Sequence, residues 1–133
     1  MSTQISIQER SKQFAVRIVK LYCYLEQQSS AGRILGQQLL RSGTSIGANC
    51  HEAVSAQSPR DFIHKYEISL KEARETIYWL EVIVDAQIAT ESRLSLIKAE
   101  CETIIKILVT SVNSLKQKEK AKVRKSSLLT PDS

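Results

Sequence analysis

The residues whose types are best suited to catalysis are a cysteine and a histidine that follow one another, Cys50 and His51. A thiol beside an imidazole can act as a nucleophile that is activated by a general base. Neighbouring residues of a helix, however, point about 100° apart, so adjacency in the chain does not bring the two side chains together. We therefore predict that this pair is not a catalytic dyad and that the protein is not an enzyme.

The two histidines also fit metal binding poorly. A di-iron four-helix protein carries Glu-x-x-His on two of its helices. In this sequence Ala48 precedes His51 by three residues, and Asp61 precedes His64 by three. The cysteines lie far apart in the sequence, each within an apolar helical pattern, and no two of them form a Cys-x-x-Cys pair. We expect no metal site and no cofactor, and we predict three buried free thiols: Cys23, Cys50 and Cys101.

Two rows of polar residues could form a binding site or hold two helices together. Each row follows steps of three or four residues, which places its members on one face of a helix. The rows are Arg41, Ser45, Asn49 and Glu52, then Lys65, Ser69, Glu72 and Thr76. Opposed across a short loop, they could line a small-molecule pocket, contact nucleic acid, or satisfy one another as an interhelical network. We favour the network.

Net positive charge lies in the first half and in the tail of the sequence. The 133 residues carry a formal net charge of +5, of which residues 1–58 carry +3, residues 59–115 carry −2 and residues 116–133 carry +4. This asymmetry suits an acidic partner such as nucleic acid, and it is equally compatible with a simple need for solubility. Aromatic residues make up only 5% of the chain, which argues against platforms that stack single-stranded bases. The candidate phosphate-binding residues are Arg10, Lys12, Arg17, Lys20, Lys116, Lys118, Lys120, Lys122, Arg124 and Lys125.

Four predicted helices position these residues. Apolar residues recur at steps of three and four, which is the period of an amphipathic helix. Ser58 and Pro59 mark the start of the third helix, and Thr90 marks the start of the fourth. Because the connections are short, neighbouring helices should run antiparallel. The predicted helices are residues 9–28, 33–54, 59–87 and 91–118.

The predicted fold is therefore all-α, an antiparallel up-down-up-down four-helix bundle over residues 1–118. We predict that residues 119–133 are a basic, disordered tail. Gly36, Gly43 and Gly47 lie inside the second helix, where each glycine costs roughly 1 kcal/mol relative to alanine. No strand is predicted before them, as a phosphate-binding loop would require. We interpret the glycines as positions where a neighbouring helix approaches closely.

Apolar bulk covers most of the third helix around its single tryptophan. Tyr78 and Trp79 add aromatic surface next to Leu80, and a helix that is apolar on all sides is normally buried on several. A lone 15.0 kDa bundle would leave one side in water, so we predict that copies associate through Tyr78 and Trp79. No stretch of eighteen apolar residues and no signal-peptide pattern occurs, so we expect a cytoplasmic protein without a membrane partner.

Two stretches of the sequence resemble the bacterial four-helix-bundle family named for the protein encoded in intervening sequences of 23S ribosomal RNA genes. The first, from Arg41 to Ala53, contains Ser-Ile-x-x-Asn-x-x-Glu, and the second, from Asp61 to Leu80, contains Glu-x-x-Tyr-Trp-Leu. The similarity covers roughly residues 14–116. The positions that carry it are Ser45, Ile46, Asn49, Glu52, Phe62, Lys65, Ser69, Glu72, Glu75, Trp79 and Leu80.

The resemblance implies a small cytoplasmic bundle whose copies assemble into a homopentameric barrel. The family is also similar to the accessory variability protein of diversity-generating retroelements, a basic pentamer that associates with a reverse transcriptase and RNA. Residues 1–115 of this chain carry a net charge of only +1. A nucleic-acid role would therefore depend mainly on the basic residues after position 115.

From the residues and the resemblance together we predict a non-enzymatic homo-oligomer that binds RNA, or a nucleic-acid enzyme such as a reverse transcriptase, through basic surfaces. The alternative is a structural or protein-interaction scaffold with no affinity for nucleic acid.

Overall fold

Four helices account for most of the computed structural model, which describes residues 4–129. They are α1 (Ile7–Glu26), α2 (Ser30–Ala53), α3 (Pro59–Asp85) and α4 (Glu91–Leu129), and no strand occurs between residues 4 and 129. The all-α prediction is confirmed, and the arrangement is consistent with a four-helix bundle.

Contacts between helix starts and helix ends show that sequential helices run antiparallel. In the first turn of α1, the Gln8 amide donates to the carbonyl oxygen of Cys50 near the end of α2 (3.3 Å) and to the hydroxyl of Tyr66 near the start of α3 (2.9 Å). Lys116 of α4 pairs with Glu67 of α3 (2.9 Å). The start of α1, the α2–α3 connection and the C-terminal part of α4 therefore share one end of the molecule.

Hydroxyl side chains set the starts of α3 and α4. Ser58 accepts a hydrogen bond from the N–H of Asp61 (3.0 Å), with Pro59 at the first helical position. Thr90 accepts from the N–H of Arg93 (3.3 Å). A capping oxygen satisfies one of the N–H groups that have no partner inside the helix, so these residues begin the helices where the sequence predicts.

The start of α2 lies three residues earlier than predicted. Ser29 accepts a hydrogen bond from the N–H of Gly32 (2.9 Å) and caps the helix. Residues 30–32 therefore belong to α2 and not to the connection. Serine is common both at helix N-caps and in loops. The composition of this stretch therefore does not show which of the two roles it has.

The end of α3 is a Schellman motif that contains no glycine. The N–H of Gln87 donates to the carbonyl oxygen of Val84 (2.9 Å), and the N–H of Ile88 donates to that of Ile83 (3.0 Å), which is the pairing of this motif. Gln87 has a φ of 61°. Glycine would adopt this left-handed conformation without a steric penalty, but here glutamine adopts it.

One hydrophobic core runs through all four helices. Full burial of each large aliphatic or aromatic side chain is worth about 1.5–3 kcal/mol. The large apolar side chains that are essentially inaccessible to water are Phe14, Ile18, Leu25, Leu39, Ile46, Leu80, Ile83, Leu94, Ile104 and Leu108.

Two glycines of α2 allow α1 to approach closely, as predicted. A Cβ atom built on Gly43 would lie 2.8 Å from a side-chain carbon of Ile18, which is fully buried. A Cβ atom on Gly47 would lie 3.1 Å from the carbonyl oxygen of Ser11. The helix propensity lost at these glycines is offset by the close packing of α1, through the Ile18 side chain at Gly43 and through the Ser11 backbone at Gly47.

The fourth helix is much longer than predicted. It continues to Leu129, 11 residues beyond the predicted end at 118, so the prediction of disorder is wrong for residues 119–129. Residues 91–129 contain no glycine or proline, and lysine, glutamate, alanine and arginine all favour the helix. The rest of the predicted tail, residues 130–133, lies outside the described residues. We call residues 116–129 the α4 extension.

The cysteines differ in their surroundings. Cys50 and Cys101 are buried free thiols, as predicted, whereas Cys23 is exposed, so the prediction is wrong for Cys23. Cys23 lies on the outer side of α1, next to the stripe that contains Ile18 and Leu25 and not within it. Between residues 4 and 129, no helix combines the length and the apolar character needed to cross a membrane.

Candidate nucleic-acid interface

Six of the ten candidate phosphate-binding residues lie on the α4 extension. Its side chains from 116 to 128 are exposed except for that of Glu119, which is half-buried. Glu119 is its only acidic residue, so the extension carries a net charge of +5. Lys116 pairs with Glu67. Among residues 4–129, the other five cations form no ion pair: Lys118, Lys120, Lys122, Arg124 and Lys125.

The four candidate residues on α1 are spread more widely along their helix than the six on the α4 extension. Arg10 donates to Glu100 of α4 (Nη2 to Oε2, 3.3 Å), and this hydrogen bond raises the pKa of Arg10 above its ordinary value because it stabilises the charged guanidinium. Arg17 and Arg10 line a hollow of about 240 Å³ between α1 and α4. Lys12 and Lys20 are exposed. Because Lys20 lies about 15 Å along the helix from Arg10, the structure does not gather all ten candidates at one place.

An apolar hollow separates one side of the α4 extension from the bundle. It has a volume of about 650 Å³ and lies where the α2–α3 connection meets α4. Val54, Phe62 and Leu115 line it, together with Lys118 and Lys122. The sequence did not predict this hollow, because it depends on α4 continuing past the connection. The opposite side of the extension faces away from the bundle.

The polar rows on α2 and α3 meet at Arg41. Its guanidinium lies 3.3 Å from Glu72 and also pairs with Glu75. Glu75 in turn accepts a hydrogen bond from the indole N–H of Trp79 (3.1 Å). One cation thus neutralises two carboxylates that lie about one turn apart on α3. The predicted rows contained Arg41 and Glu72, but Glu75 and Trp79 were not placed in this network.

Three further contacts cross between α2 and α3. Lys65 pairs with Glu52 (3.1 Å). The buried hydroxyl of Ser69 donates to the carbonyl oxygen of Ile46 (2.8 Å). Thr76, the last member of its row, is also buried and lies 3.0 Å from the hydroxyl of Ser42. The structure therefore places most members of the two rows between the helices.

Ser45 and Asn49 do not take part in this interhelical network. The Ser45 hydroxyl donates to the carbonyl oxygen of Arg41 (2.6 Å), and the Asn49 amide donates to that of Ser45 (2.9 Å). Short polar side chains in a helix often bond to the carbonyl four residues earlier. The prediction of an interhelical role is therefore wrong for these two residues.

Ser45 also lies in a pattern that is shared with α/β-hydrolases. Residues 43–47 read Gly-Thr-Ser-Ile-Gly and match G-x-S-x-G. That pattern supports catalysis when a strand-to-helix turn exposes the serine. Here it lies inside α2, and the serine hydroxyl bonds to its own helix. The match does not form a nucleophile site.

Cys50 and His51 point to different surroundings. The sulfur of Cys50 lies 3.3 Å from the hydroxyl of Ser69 in the core, and burial raises the pKa of this thiol. The His51 ring lies 3.1 Å from the carbonyl oxygen of Gln8 at the surface. Within residues 4–129, no three histidine, cysteine, aspartate or glutamate side chains cluster closely enough to hold a metal ion.

The aromatic pair proposed as an oligomer interface is partly accessible. Tyr78 is 57% exposed and packs edge-on against Trp79, with ring centroids 4.9 Å apart. Trp79 is half-buried and contacts the core. On α2, Ile34 is 55% exposed. These side chains leave apolar surface open to a partner.

Two polar residues of α1, Gln8 and Ser11, were not predicted as functional positions, and Gln8 connects the first three helices. Gln8 reaches both α2 and α3, as described above. Ser11 is fully buried, and its hydroxyl donates to the carbonyl oxygen of Gln8 (3.1 Å). Ser11 extends the stripe of Phe14 and Ile18 by one helical step towards the N-terminus. This spacing in the sequence indicates that Ser11 is buried. Burial also raises the pKa of Tyr66, whose hydroxyl accepts a hydrogen bond from Gln8.

Comparisons with known proteins agree on the family of the chain. The model of a family described as 23S rRNA-intervening sequence protein matches residues 3–110. A crystal structure of a protein of unknown function from the S23 ribosomal protein family of Bacteroides thetaiotaomicron is similar, with 44% sequence identity and a TM-score of 0.75. That similarity covers 80% of this chain and 98% of the other. No curated protein matches the chain.

Proposed function

The chain belongs to the 23S rRNA-intervening sequence protein family, and from this premise we propose that it is a non-enzymatic, homo-oligomeric accessory protein that binds nucleic acid through the α4 extension. The resemblance described above favours RNA, or an RNA-containing enzyme such as a reverse transcriptase, as the partner. The matched region ends at residue 110. The α4 extension therefore lies outside the part of the chain that defines the family.

The observation that carries this proposal is the isolation of charge on the α4 extension. Residues 1–115 carry a net charge of +1, and the extension carries +5. Five of its six cations lack an ion pair among residues 4–129, and Glu119 is the only carboxylate on the extension. Unpaired lysine and arginine side chains on an exposed helix can neutralise phosphates and release their counterions.

Assembly into several copies is supported by the exposed apolar surface around Tyr78 and Trp79. Large exposed apolar side chains that lie close together mark interaction surfaces on many proteins. The number of five copies comes from the family resemblance. Five copies would multiply the charge of the extensions and strengthen binding to a long polyanion through multivalency.

A matched pair of variants tests nucleic-acid binding. The first replaces Lys118, Lys120 and Lys122 by glutamine. The control replaces Arg33, Lys71 and Arg74, which are exposed and lie outside the extension. Both variants lower the net charge of the chain equally.

Fluorescence anisotropy with a labelled RNA provides the measurement, at about 50 and about 200 mM salt. We expect the wild type to bind with an affinity that falls steeply with salt. The extension variant should bind much more weakly, and the control should bind like the wild type. Equal losses in the two variants would contradict a specific role of the extension, and no binding by the wild type at either salt would contradict RNA as the partner.

A further inference from the structure

The cations of the α4 extension form two rows on opposite sides of the helix. Each residue of an α-helix is turned about 100° from the one before it. The first row is Lys116, Lys120 and Arg124, of which Lys116 also pairs with Glu67 of α3. The second row is Lys118, Lys122 and Lys125. The centres of the two rows lie roughly 170° apart around the helix axis.

The two sides between these rows differ in chemistry. The side towards the bundle includes Leu115 and Glu119, which line the hollow at the α2–α3 connection together with Lys118 and Lys122 of the second row. The side chains of Lys118 and Lys122 are nevertheless exposed to solvent. The side away from the bundle carries the uncharged residues Gln117, Ala121 and Leu128, all of them exposed. The single carboxylate of the extension therefore lies on the protein side, and the outward side is neutral and flanked by cations.

The rows also place like charges next to one another. Lys116 and Lys120, Lys120 and Arg124, and Lys118 and Lys122 are each four residues apart. Like charges at this spacing destabilise a helix. A polyanion that contacts both rows would remove this repulsion.

We infer that the α4 extension lies in the major groove of B-form duplex DNA, with one row of cations against each phosphate backbone and with Gln117 and Ala121 towards the base edges. An α-helix with its side chains is about 10–12 Å across, and the B-form major groove is about 12 Å wide. The small side chain of Ala121 permits close approach to the bases. Glutamine can bond in bidentate fashion to adenine in this groove.

Other nucleic acids fit this arrangement less well. The major groove of A-form RNA is deep and too narrow for side chains to read. No aromatic residue follows Trp79 in the sequence, so the extension offers single-stranded bases no ring to stack on. The inference rests on the proposed binding of nucleic acid through the α4 extension, and it favours duplex DNA over the RNA that the family resemblance implies.

The first test compares substrates of one sequence. The affinity of the full chain is measured by anisotropy for a DNA duplex, for each of its single strands and for the RNA duplex. We expect the DNA duplex to bind most tightly and to increase the helicity measured by circular dichroism. If a single strand or the RNA duplex binds as tightly as the DNA duplex, the inference is wrong but the proposed function stands. If no nucleic acid binds, both are wrong.

The second test uses two variants with the same change of charge in the same turn of the extension. Ala121→Glu places a carboxylate on the outward side. Val123→Glu places one about 200° around the axis, towards the bundle side. Ala121→Glu should weaken binding to duplex DNA by at least about tenfold, because its charge would lie between two phosphate backbones. Val123→Glu should have a much smaller effect.

Equal losses in these two variants would show that only net charge matters, and would overturn the inference. Circular dichroism checks that both variants keep their helices. The double variants Lys120→Gln/Arg124→Gln and Lys122→Gln/Lys125→Gln provide a third readout. Each should reduce the slope of log affinity against log salt by about two. A reduction in only one of them would show that one row alone contacts phosphate, and would overturn the inference.

Discussion

The hydroxyl of Ser69 on α3 donates a hydrogen bond to the carbonyl oxygen of Ile46 on α2 at 2.8 Å, in a fully buried position. The sulfur of Cys50 lies 3.3 Å from the same hydroxyl. A single side chain thus joins the backbone of one helix to another in the middle of the core. This contact explains why a polar residue occupies the buried side of α3.

Replacing Ser69 by alanine should lower the free energy of unfolding by about 1 kcal/mol, the usual net value of one hydrogen bond. Ser69→Val should cost more, because the larger side chain would also press against α2. Urea unfolding monitored by circular dichroism measures both effects. Ser114→Ala, at an exposed position on α4, is the control. A Ser69→Ala variant as stable as the control would contradict the role of this bond.

Gly43→Ala should destabilise the protein by about 1–3 kcal/mol, the usual cost of overpacking, despite the better helix propensity of alanine. The added Cβ atom would lie 2.8 Å from Ile18, which is enclosed by the core. Gly36→Ala is the matched control in the same helix. A Cβ atom on Gly36 would lie 3.1 Å from the Tyr22 ring, and this half-buried ring can move aside. Thermal unfolding of both variants provides the measurement. A stabilised Gly43→Ala protein would show that α1 can shift without loss.

Gln87→Gly should stabilise the protein by about 0.5–1 kcal/mol. The left-handed backbone at φ 61° costs a non-glycine residue roughly 1–2 kcal/mol, and part of the gain is lost to the greater freedom of glycine in the unfolded chain. Gln27→Gly is the control, because Gln27 ends α1 with an ordinary φ of −86°. Chemical unfolding should show opposite signs for the two variants. The same sign in both would contradict the assignment of strain to Gln87.

Stability should fall at alkaline pH because of buried thiols. Burial raises the pKa of Cys101 from 9.0 to about 12, so above pH 9 the unfolded chain releases a proton that the folded chain retains. The contribution is complete below pH 9 and is lost as the pH rises towards 12, at up to about 1.4 kcal/mol per pH unit for this group. Urea midpoints measured across this range test the slope. Cys101→Ala should reduce it and Cys23→Ala, at an exposed position, should leave it unchanged.

Tyr78→Glu should reduce the size of the assembly while leaving the fold intact. A carboxylate at this exposed position would have to be desolvated in an apolar contact between copies. Light scattering coupled to size exclusion measures the mass, and circular dichroism checks the helices. Thr110→Glu, on an exposed part of α4, is the control for added charge. A wild-type protein with the mass of one 15.0 kDa chain would contradict the proposed assembly.

The sequence predicted well what depends on local chemistry. Apolar periodicity located all four helices, and the hydroxyls of Ser58 and Thr90 located two of their starts. Gly43 and Gly47 indicated the close packing of α1 on α2, because the cost of a glycine inside a helix is offset where a neighbouring helix packs closely against it.

The remaining differences depend on tertiary geometry or on competing local signals. Whether Ser45 and Asn49 bond across to α3 or back to their own helix depends on small differences in helix rotation, which periodicity does not determine. The exposure of Cys23 follows from the same cause. For the α4 extension, the density of basic residues indicated disorder and the absence of glycine and proline indicated helix, and in the structure the second signal dominates.

The length of α4 gives the molecule an electrical polarity along its long axis. One end carries the cationic helix, and the other carries Asp85 and Glu91 at the turn that joins α3 to α4. In the field of a polyanion such a body experiences a torque, which rotates it so that the positive end leads before any contact forms. Dissolved salt should therefore slow the encounter as well as weaken the complex, because it screens the field that produces this rotation.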